Sequence, residues 1–233
     1  VIRIKGRPLV LRQSVWEQGS SAIKEALKDY ENEYRAMFKR QADKATQPKT
    51  ILPPDPKTIW MEGVGLLGLG TNFKAASIAG DLVVQNARVR SVGEDSGGFY
   101  PISEKDLFDC EYWSLEQAKL GKGKAPAFQG KVVMVTGGSG TIGFETAKAF
   151  ASLGAQCFLI DIDQENLDAT LEKLGKGHFG KALDVTDLKA ATEAITSVTE
   201  AYGGLDILVS NAGSAQSGSM LDMTSSSVRK AFE

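Results

Sequence analysis

Two glycine runs in this chain could let backbone approach a phosphate. The first, "GVGLLGLG" at 63–70, contains Gly63-x-Gly65-x-x-Gly68, the spacing of a dinucleotide-binding loop. The second, "TGGSGTIG" at 136–143, is spaced differently. Such a loop works only between a strand and a helix, whose N-terminal N–H groups hold a pyrophosphate. It also needs a carboxylate at the end of the next strand to take the ribose hydroxyls. The first run fails: Leu66, Leu67 and Leu69 continue a strand-like pattern, the helix starts later, and Asp81 falls inside it. Its glycines read instead as points where a buried strand packs closely on its neighbours. The second run passes. It follows "KVVMV" and its last glycine opens a helix. Gly137 permits the tight turn, Gly140 lets backbone approach phosphate, and Gly143 lets helix and strand pack closely. Ser139, Thr141 and Ile142 complete the candidate cradle. Asp161 ends the next strand, where a carboxylate accepts from both ribose hydroxyls and repels a 2′-phosphate, so NAD is expected over NADP.

The elements around this second loop alternate. "KVVMVTG", "AQCFLID", "HFGKALDV" and "LDILVSNAG" read as strands, separated by the helical stretches "FETAKAFASLG", "QENLDATLEKLG" and "DLKAATEAITSVTEAYG". Strands alternating with helices of this length make right-handed βαβ units on a parallel sheet. Residues 130–233 are therefore expected to form a Rossmann-like, doubly wound α/β domain, incomplete at four strands. Residues 1–120 follow another grammar. Ile23, Leu27, Tyr30, Tyr34 and Met37 form one face of a long helix over 20–45, which the prolines at 48, 53, 54 and 56 end. "TIWM" is a strand candidate, and a helix follows from Asn72 with Phe73, Ala76, Leu82 and Val89 among its apolar positions. "GEDSGGF" reads as loop, and 103–120 as a helix opened by Ser103 and Asp106. Trp60, Tyr112 and Trp113 read as core or interface anchors. Residues 121–129 read as a linker, and "SSSVRKAFE" at the end as a further helix.

Residues 129–233 resemble the short-chain dehydrogenase/reductase family. The family's Thr-Gly-x-x-x-Gly-x-Gly is met at Thr136, Gly137 and Gly143, but Thr141 stands at the middle glycine. Gly140 instead supplies the spacing of extended members such as sugar-nucleotide epimerases. "LDVTD" places Asp184 and Val185 where the family contacts adenine. "SNAG" at 210–213 matches the family's Asn-Asn-Ala-Gly, with Ser210 for the first Asn, and adds Asn211, Ala212 and Gly213 to the candidate cofactor residues. The resemblance implies hydride transfer assisted by Tyr-x-x-x-Lys. No tyrosine here has a lysine four residues on, so no catalytic residue is assigned.

The glycine run at 63–70, "KAASIAGD", "FDCEYWSLEQAKLGK" and a following dehydrogenase together resemble the bifunctional class II aldolase/short-chain dehydrogenases. Residues 1–120 would then be the C-terminal part of an α/β aldolase-like module. Class II aldolases use Zn²⁺ held by histidines. The one histidine, His178, lies in the dehydrogenase half and reads as structural, so no metal residue is assigned and Zn²⁺ is expected only upstream. The chain lacks an initial methionine and stops inside a helix-like run, and is expected to be an internal piece of a longer polypeptide, inactive alone.

Composition excludes other classes. Residues 1–125 carry 19 Lys/Arg against 16 Asp/Glu and residues 126–233 carry 8 against 13, with no basic stripe for nucleic acid or an anionic membrane. No apolar run approaches the ~20 residues needed to span a bilayer. Cys110 and Cys157 lie in unrelated surroundings, which fits a reducing cytoplasm. The expected partners are a small alcohol, aldehyde or sugar-derived substrate and further copies of the same chain. The alternatives are an extended-type epimerase or dehydratase, or a non-catalytic NAD-binding protein.

Overall fold

The computed structural model describes residues 3–118, 125–213 and 224–226. The chain divides into two compact units, Val1–Lys124 and Ala125–Glu233. The "SSSVRKAFE" helix lies mostly outside the described residues, as do 119–124, the end of the helix read over 103–120 and the start of the linker.

The first unit holds β1 (Leu9–Leu11), α1 (Gln13–Trp16), α2 (Ser20–Ala42), β2 (Thr58–Met61), β3 (Gly65–Gly68), α3 (Phe73–Asp95), α4 (Glu104–Glu111) and α5 (Ser114–Ala118). Its sheet has the order β1-β2-β3, with β1 parallel and β3 antiparallel to β2. Helix α2 buries Tyr34 and Met37 on its expected face, and they pack with Phe108 and Tyr112. Ser103 caps α4 by accepting from Asp106 N–H at 3.1 Å, while its hydroxyl donates to the Asp106 carboxylate at 2.7 Å.

Four expectations for this unit are corrected. The helix over 103–120 breaks at Tyr112–Trp113, because Tyr112 is pulled into the core, stacked on Phe108 with ring centroids 4.6 Å apart. Trp113 is left 54% exposed and anchors nothing in the unit's core. Helix α3 runs on through Gly93, Glu94 and Asp95, which read as loop, with Gly93 against Phe99. Its buried residues are Ala79 and Val83, whereas Phe73, Leu82 and Val89 remain exposed.

The fourth correction concerns the first glycine run. Residues 62–64 turn a hairpin with Gly63 at φ +76°, and β3 pairs back on β2 from Met61↔Gly65 to Thr58↔Gly68. Strand β3 is not buried, and a Cβ on Gly65 would meet nothing within 4 Å. Close approach occurs instead at Gly68, where a Cβ would lie 2.2 Å from Gly80 N and 2.5 Å from Ala76 O of α3. That contact explains the helix face: α3 sits on the sheet through its smallest residues, so its larger ones point elsewhere.

The second unit holds β4 (Val132–Thr136), α6 (Thr141–Ser152), β5 (Gln156–Asp161), α7 (Gln164–Leu174), β6 (Phe179–Ala182), α8 (Leu188–Tyr202) and β7 (Ile207–Val209). All strands are parallel, in the order β6-β5-β4-β7. Both sheet faces are covered. Val133, Val135, Cys157 and Leu159 point to one core with Ala147 of α6 and Leu167 of α7. The alternating Val132, Met134, Phe158 and Ile160 point to another with Ala194 and Val198 of α8. Continuous apolar runs are what strands buried on both faces require. Phe128 packs edge-on against Phe150, 4.9 Å between centroids, joining the first of these cores. Among the described residues, no helix is long and apolar enough to cross a membrane.

Candidate functional site

The chain runs from β4 outward through β5 to β6, then returns to place β7 on the other side of β4. That reversal makes a switch point, and ligands of such sheets bind outside the carboxyl ends of the strands there. The residues named from sequence lie at these ends: the glycine loop after β4, Asp161 at the end of β5, Asp184 and Val185 after β6, and Asn211–Gly213 after β7.

Each loop glycine has a distinct physical cause. Gly137 turns the chain at φ +62°, and a Cβ there would meet Ala212 Cα at 2.9 Å. Gly138 lies over β5, donating its N–H to Ile160 O at 2.9 Å. Gly140 is the N-cap of α6 and makes no side-chain cap bond; among the described residues, a Cβ on it would touch only Gly137 O, at 3.4 Å. Its outer side is therefore open. A Cβ on Gly143 would lie 2.1 Å from Gly137 O and 2.9 Å from Asn211 Nδ2. The start of α6 thus rests directly on the turn, with Thr141 and Ile142 exposed beside it. The first N–H groups of a helix have no partner within it, so this end presents donors and a positive dipole outward.

The Asp161 carboxylate is fixed by three backbone donors: Ser139 N–H at 2.9 Å, Ile162 N–H at 2.8 Å and Asp163 N–H at 3.3 Å. Partial burial disfavours its charge, but these hydrogen bonds outweigh that and hold its pKa below the usual aspartate value. One acidic group therefore ties the end of β5 to the glycine loop and stays ionised. Asp184 accepts from Thr186 N–H at 2.9 Å and its hydroxyl at 2.8 Å, ordering the turn before α8. It lies beyond the end of β6, which stops at Ala182, shorter than the strand read from "HFGKALDV". Leu183 N–H still donates to Asp161 O at 2.8 Å, so Asp184 and Val185 stay near the β5 end.

Asn211 serves the loop itself. Its Nδ2 donates to Thr136 O at 3.0 Å and Gly137 O at 3.1 Å. Thr136 Oγ1 accepts from the N–H groups of Asn211 and Ala212, each at 3.0 Å. Sequence alone marks Thr136 only as the head of the glycine motif; the structure adds it to the site as the acceptor that fixes the start of the loop after β7. Among the described residues, nothing lies within 4 Å of a Cβ placed on Gly213.

Other candidates are structural. His178 Nδ1 accepts from Cys157 N–H at 3.0 Å, and burial lowers its pKa, so the ring is a neutral acceptor. Burial pushes the Cys157 thiol up to about 11, far from a reactive thiolate. Among the described residues, no group of three or more His, Cys, Asp or Glu could hold a metal ion.

Comparisons with known proteins agree with this division. Residues 1–120 match the family "Aldolase class II, second domain", and residues 131–233 match "short chain dehydrogenase". An uncharacterized oxidoreductase of Bacillus subtilis is 31% identical over 209 residues, covering 87% of this chain and 30% of its own. That match is longer than either unit and so runs through both. Short-chain dehydrogenase reductase 4 of Arabidopsis thaliana is 35% identical over 133 residues, 53% of this chain and 44% of its own. A solved short-chain dehydrogenase from Mycobacterium smegmatis is 34% identical, covers 48% of each chain and superposes with a TM-score of 0.43. The chain spans less than half the length of these curated relatives. It belongs to the class II aldolase second-domain family, matched over residues 1–120, and residues 131–233 match the short chain dehydrogenase family.

Proposed function

We propose that this chain is part of an NAD-dependent oxidoreductase that interconverts a small alcohol and its aldehyde or ketone, joined to an aldolase-like module. The observation that carries the cofactor choice is the fixed, ionised Asp161 at the end of β5. A carboxylate there accepts from ribose hydroxyls and repels the extra phosphate of NADP. The cradle fits the dinucleotide: Gly140 leaves the start of α6 open, Thr141 and Ile142 flank it, and Gly137 and Gly143 keep side chains out of the turn. Asp184 and Val185 would face the adenine end, and Ala212 and Gly213 the side toward the nicotinamide. When bound, the dinucleotide supplies two-electron redox chemistry that none of these side chains carries. This chain's own residues bind and orient it. Asn211 and Thr136 hold the glycine turn against β7, and Asp161 holds the ribose end. The proton-transfer pair of the family, Tyr-x-x-x-Lys, is not in this sequence, so catalysis is assigned to the whole protein. An aldolase releases a carbonyl compound that a joined dehydrogenase can oxidise or reduce, which gives the module order a chemical sense.

Titrating the chain with NAD and with NADP by calorimetry tests this reading. NAD should bind at least tenfold more tightly, and Asp161→Ala should weaken NAD and narrow the gap. Equal affinity for both by the unaltered chain would sink it.

A further inference from the structure

The first unit contains a buried polar cluster that neither its core nor the dinucleotide site requires. Lys5 has φ +61°, the one positive value outside glycine among the described residues. Its side chain is 3% exposed, with Nζ 3.5 Å from Glu111 Oε1 and 3.6 Å from the centroid of the Tyr34 ring. Among the described residues, Nζ has no hydrogen-bond acceptor and Glu111 Oε2 has no donor. Glu111 Oε1 accepts from the Tyr34 hydroxyl at 3.0 Å, and that hydroxyl lies 2.7 Å from the Tyr112 hydroxyl. Lys5 and Tyr34 also line a cavity of about 120 Å³, together with Arg7, Tyr30, Glu33 and Glu104; the Nζ atom itself has almost no exposed surface, and Glu111 is not part of the cavity wall. At ~30 Å³ per water in the liquid, that is room for about four waters or one small organic molecule.

A buried ion pair is a poor stabiliser, since desolvation offsets its attraction, and strained backbone collects where a site needs it. The charges facing Lys5 are Glu111 from α4, with Lys57 and Asp55 from the stretch before β2; Tyr34 of α2 faces it uncharged. Burial dominates: it pushes the ammonium down to about 8 against the opposing pull of Glu111, with smaller effects of Lys57 downward and Asp55 upward. Part of the amine is therefore neutral near neutral pH, which is how buried lysines become nucleophiles. Around the cavity, Arg7 is paired with Glu33 and Arg40 with Glu104, so the room inside suits an uncharged molecule.

We propose that Lys5 is a nucleophilic amine that captures a small uncharged aldehyde in this cavity, with Glu111 as its proton acceptor. The Nζ lone pair forms a C–N bond to the carbonyl carbon as the C=O π pair moves onto oxygen. Glu111 takes the proton leaving nitrogen, and the Tyr34 hydroxyl passes one to that oxygen. Glu111 returns its proton to that oxygen as the C–O bond breaks, so it leaves as water; the nitrogen pair closes the C=N bond, and the proton left on nitrogen goes back to the Tyr34 oxygen. Amine and aldehyde become imine and water, with no change in oxidation state.

Reductive trapping tests this. The full chain is incubated with glycolaldehyde and cyanoborohydride, and labelled lysines are mapped by mass spectrometry. At pH 7 Lys5 should label at least tenfold faster than the exposed Lys105, with a half-maximal rate near pH 8. Glu111→Gln should slow Lys5 tenfold and leave Lys105 unchanged. Where that variant does not fold, the pH profile of the unaltered chain decides. Lys5 labelling no faster than Lys105, only after unfolding, or with a midpoint near 10.5 would overturn the proposal.

Discussion

Replacing Gly143 by alanine would test whether the contact between α6 and the glycine turn is as tight as its geometry implies. The added Cβ would sit 2.1 Å from Gly137 O and 2.9 Å from both Gly137 C and Asn211 Nδ2. Ordinary van der Waals contact begins near 3.4 Å, so helix or turn must withdraw by more than an ångström. Overpacking of this kind costs about 1–3 kcal/mol. Losing the Asn211 to Gly137 O bond adds roughly 1 kcal/mol. Helix preference works the other way, since alanine gains about 0.5–1 kcal/mol over glycine inside a helix. The balance is a loss of about 1–3 kcal/mol from the second unit. For a domain of about 100 residues, each kcal/mol lowers Tm by roughly 4–8 °C, so a drop of about 5–20 °C is expected. All three tryptophans, Trp16, Trp60 and Trp113, lie in the first unit. Their fluorescence serves as an internal control while hydrogen exchange over 132–143 follows the second. An alanine variant whose exchange and melting match the parent would refute the close-packing argument, whatever its affinity for NAD.

The same reasoning separates two glycines that touch across the first unit. Gly68→Ala places a Cβ 2.2 Å from Gly80 N and should destabilise by several kcal/mol. Gly80→Ala, whose Cβ meets nothing within 4 Å, should instead stabilise α3 by up to about 1 kcal/mol. Denaturant titrations followed by tryptophan fluorescence would show opposite shifts, and equal shifts would contradict the packing of α3 on β3. The pH dependence of this unit follows from Lys5. Its pKa falls on folding from 10.5 to about 8, so above pH 8 the unfolded chain holds a proton that the folded chain has released. Stability therefore rises with pH across that window. Burial raises the pKa values of Tyr30 and Tyr34, and their stabilising contribution is lost as unfolded phenols ionise above about pH 10. A maximum between pH 9 and 10 is expected in urea titrations, and Lys5→Met should remove the rise below it. Stability that is flat or falling from pH 7.5 to 9.5 would count against a buried amine.

The second unit was largely legible because periodicity and topology carry the same information there. Buried parallel strands must be apolar on both faces, and "KVVMV" and "QCFLI" leave little else to be. The ends of those strands then fix where Asp161 and the glycine loop meet. What sequence could not reveal was the division of labour within the loop. Asn211 reads as a cofactor residue, yet its amide is taken up by Thr136 O and Gly137 O, a contact across 75 residues that no local pattern encodes. In the first unit the break at Tyr112 and the buried face of α3 were hidden for the same reason. Tyr112 leaves its helix for a ring stack and a hydroxyl network with Tyr34, and α3 turns its smallest residues inward because Gly68 leaves no room for larger ones.

The two glycine runs then differ through the partner each strand finds. In the first, Gly63 reverses the chain and β3 returns antiparallel to β2, so the glycines after the turn face a neighbouring strand and the flank of a helix. Val64 N–H and Leu69 N–H are taken by Met61 O and Lys57 O across the hairpin, and the helix that follows begins only at Phe73, beyond the last glycine. In the second, β4 is flanked by parallel strands on both sides, its chain cannot turn back, and the glycines fall where strand passes into helix. Gly140 caps α6 without a side chain, and Gly143 already lies in its first turn. The helix end is thereby brought down onto the edge of the sheet with its N–H groups facing outward. Glycine spacing permits a phosphate cradle, but parallel pairing of the preceding strand is what aims a helix N-terminus at the ligand.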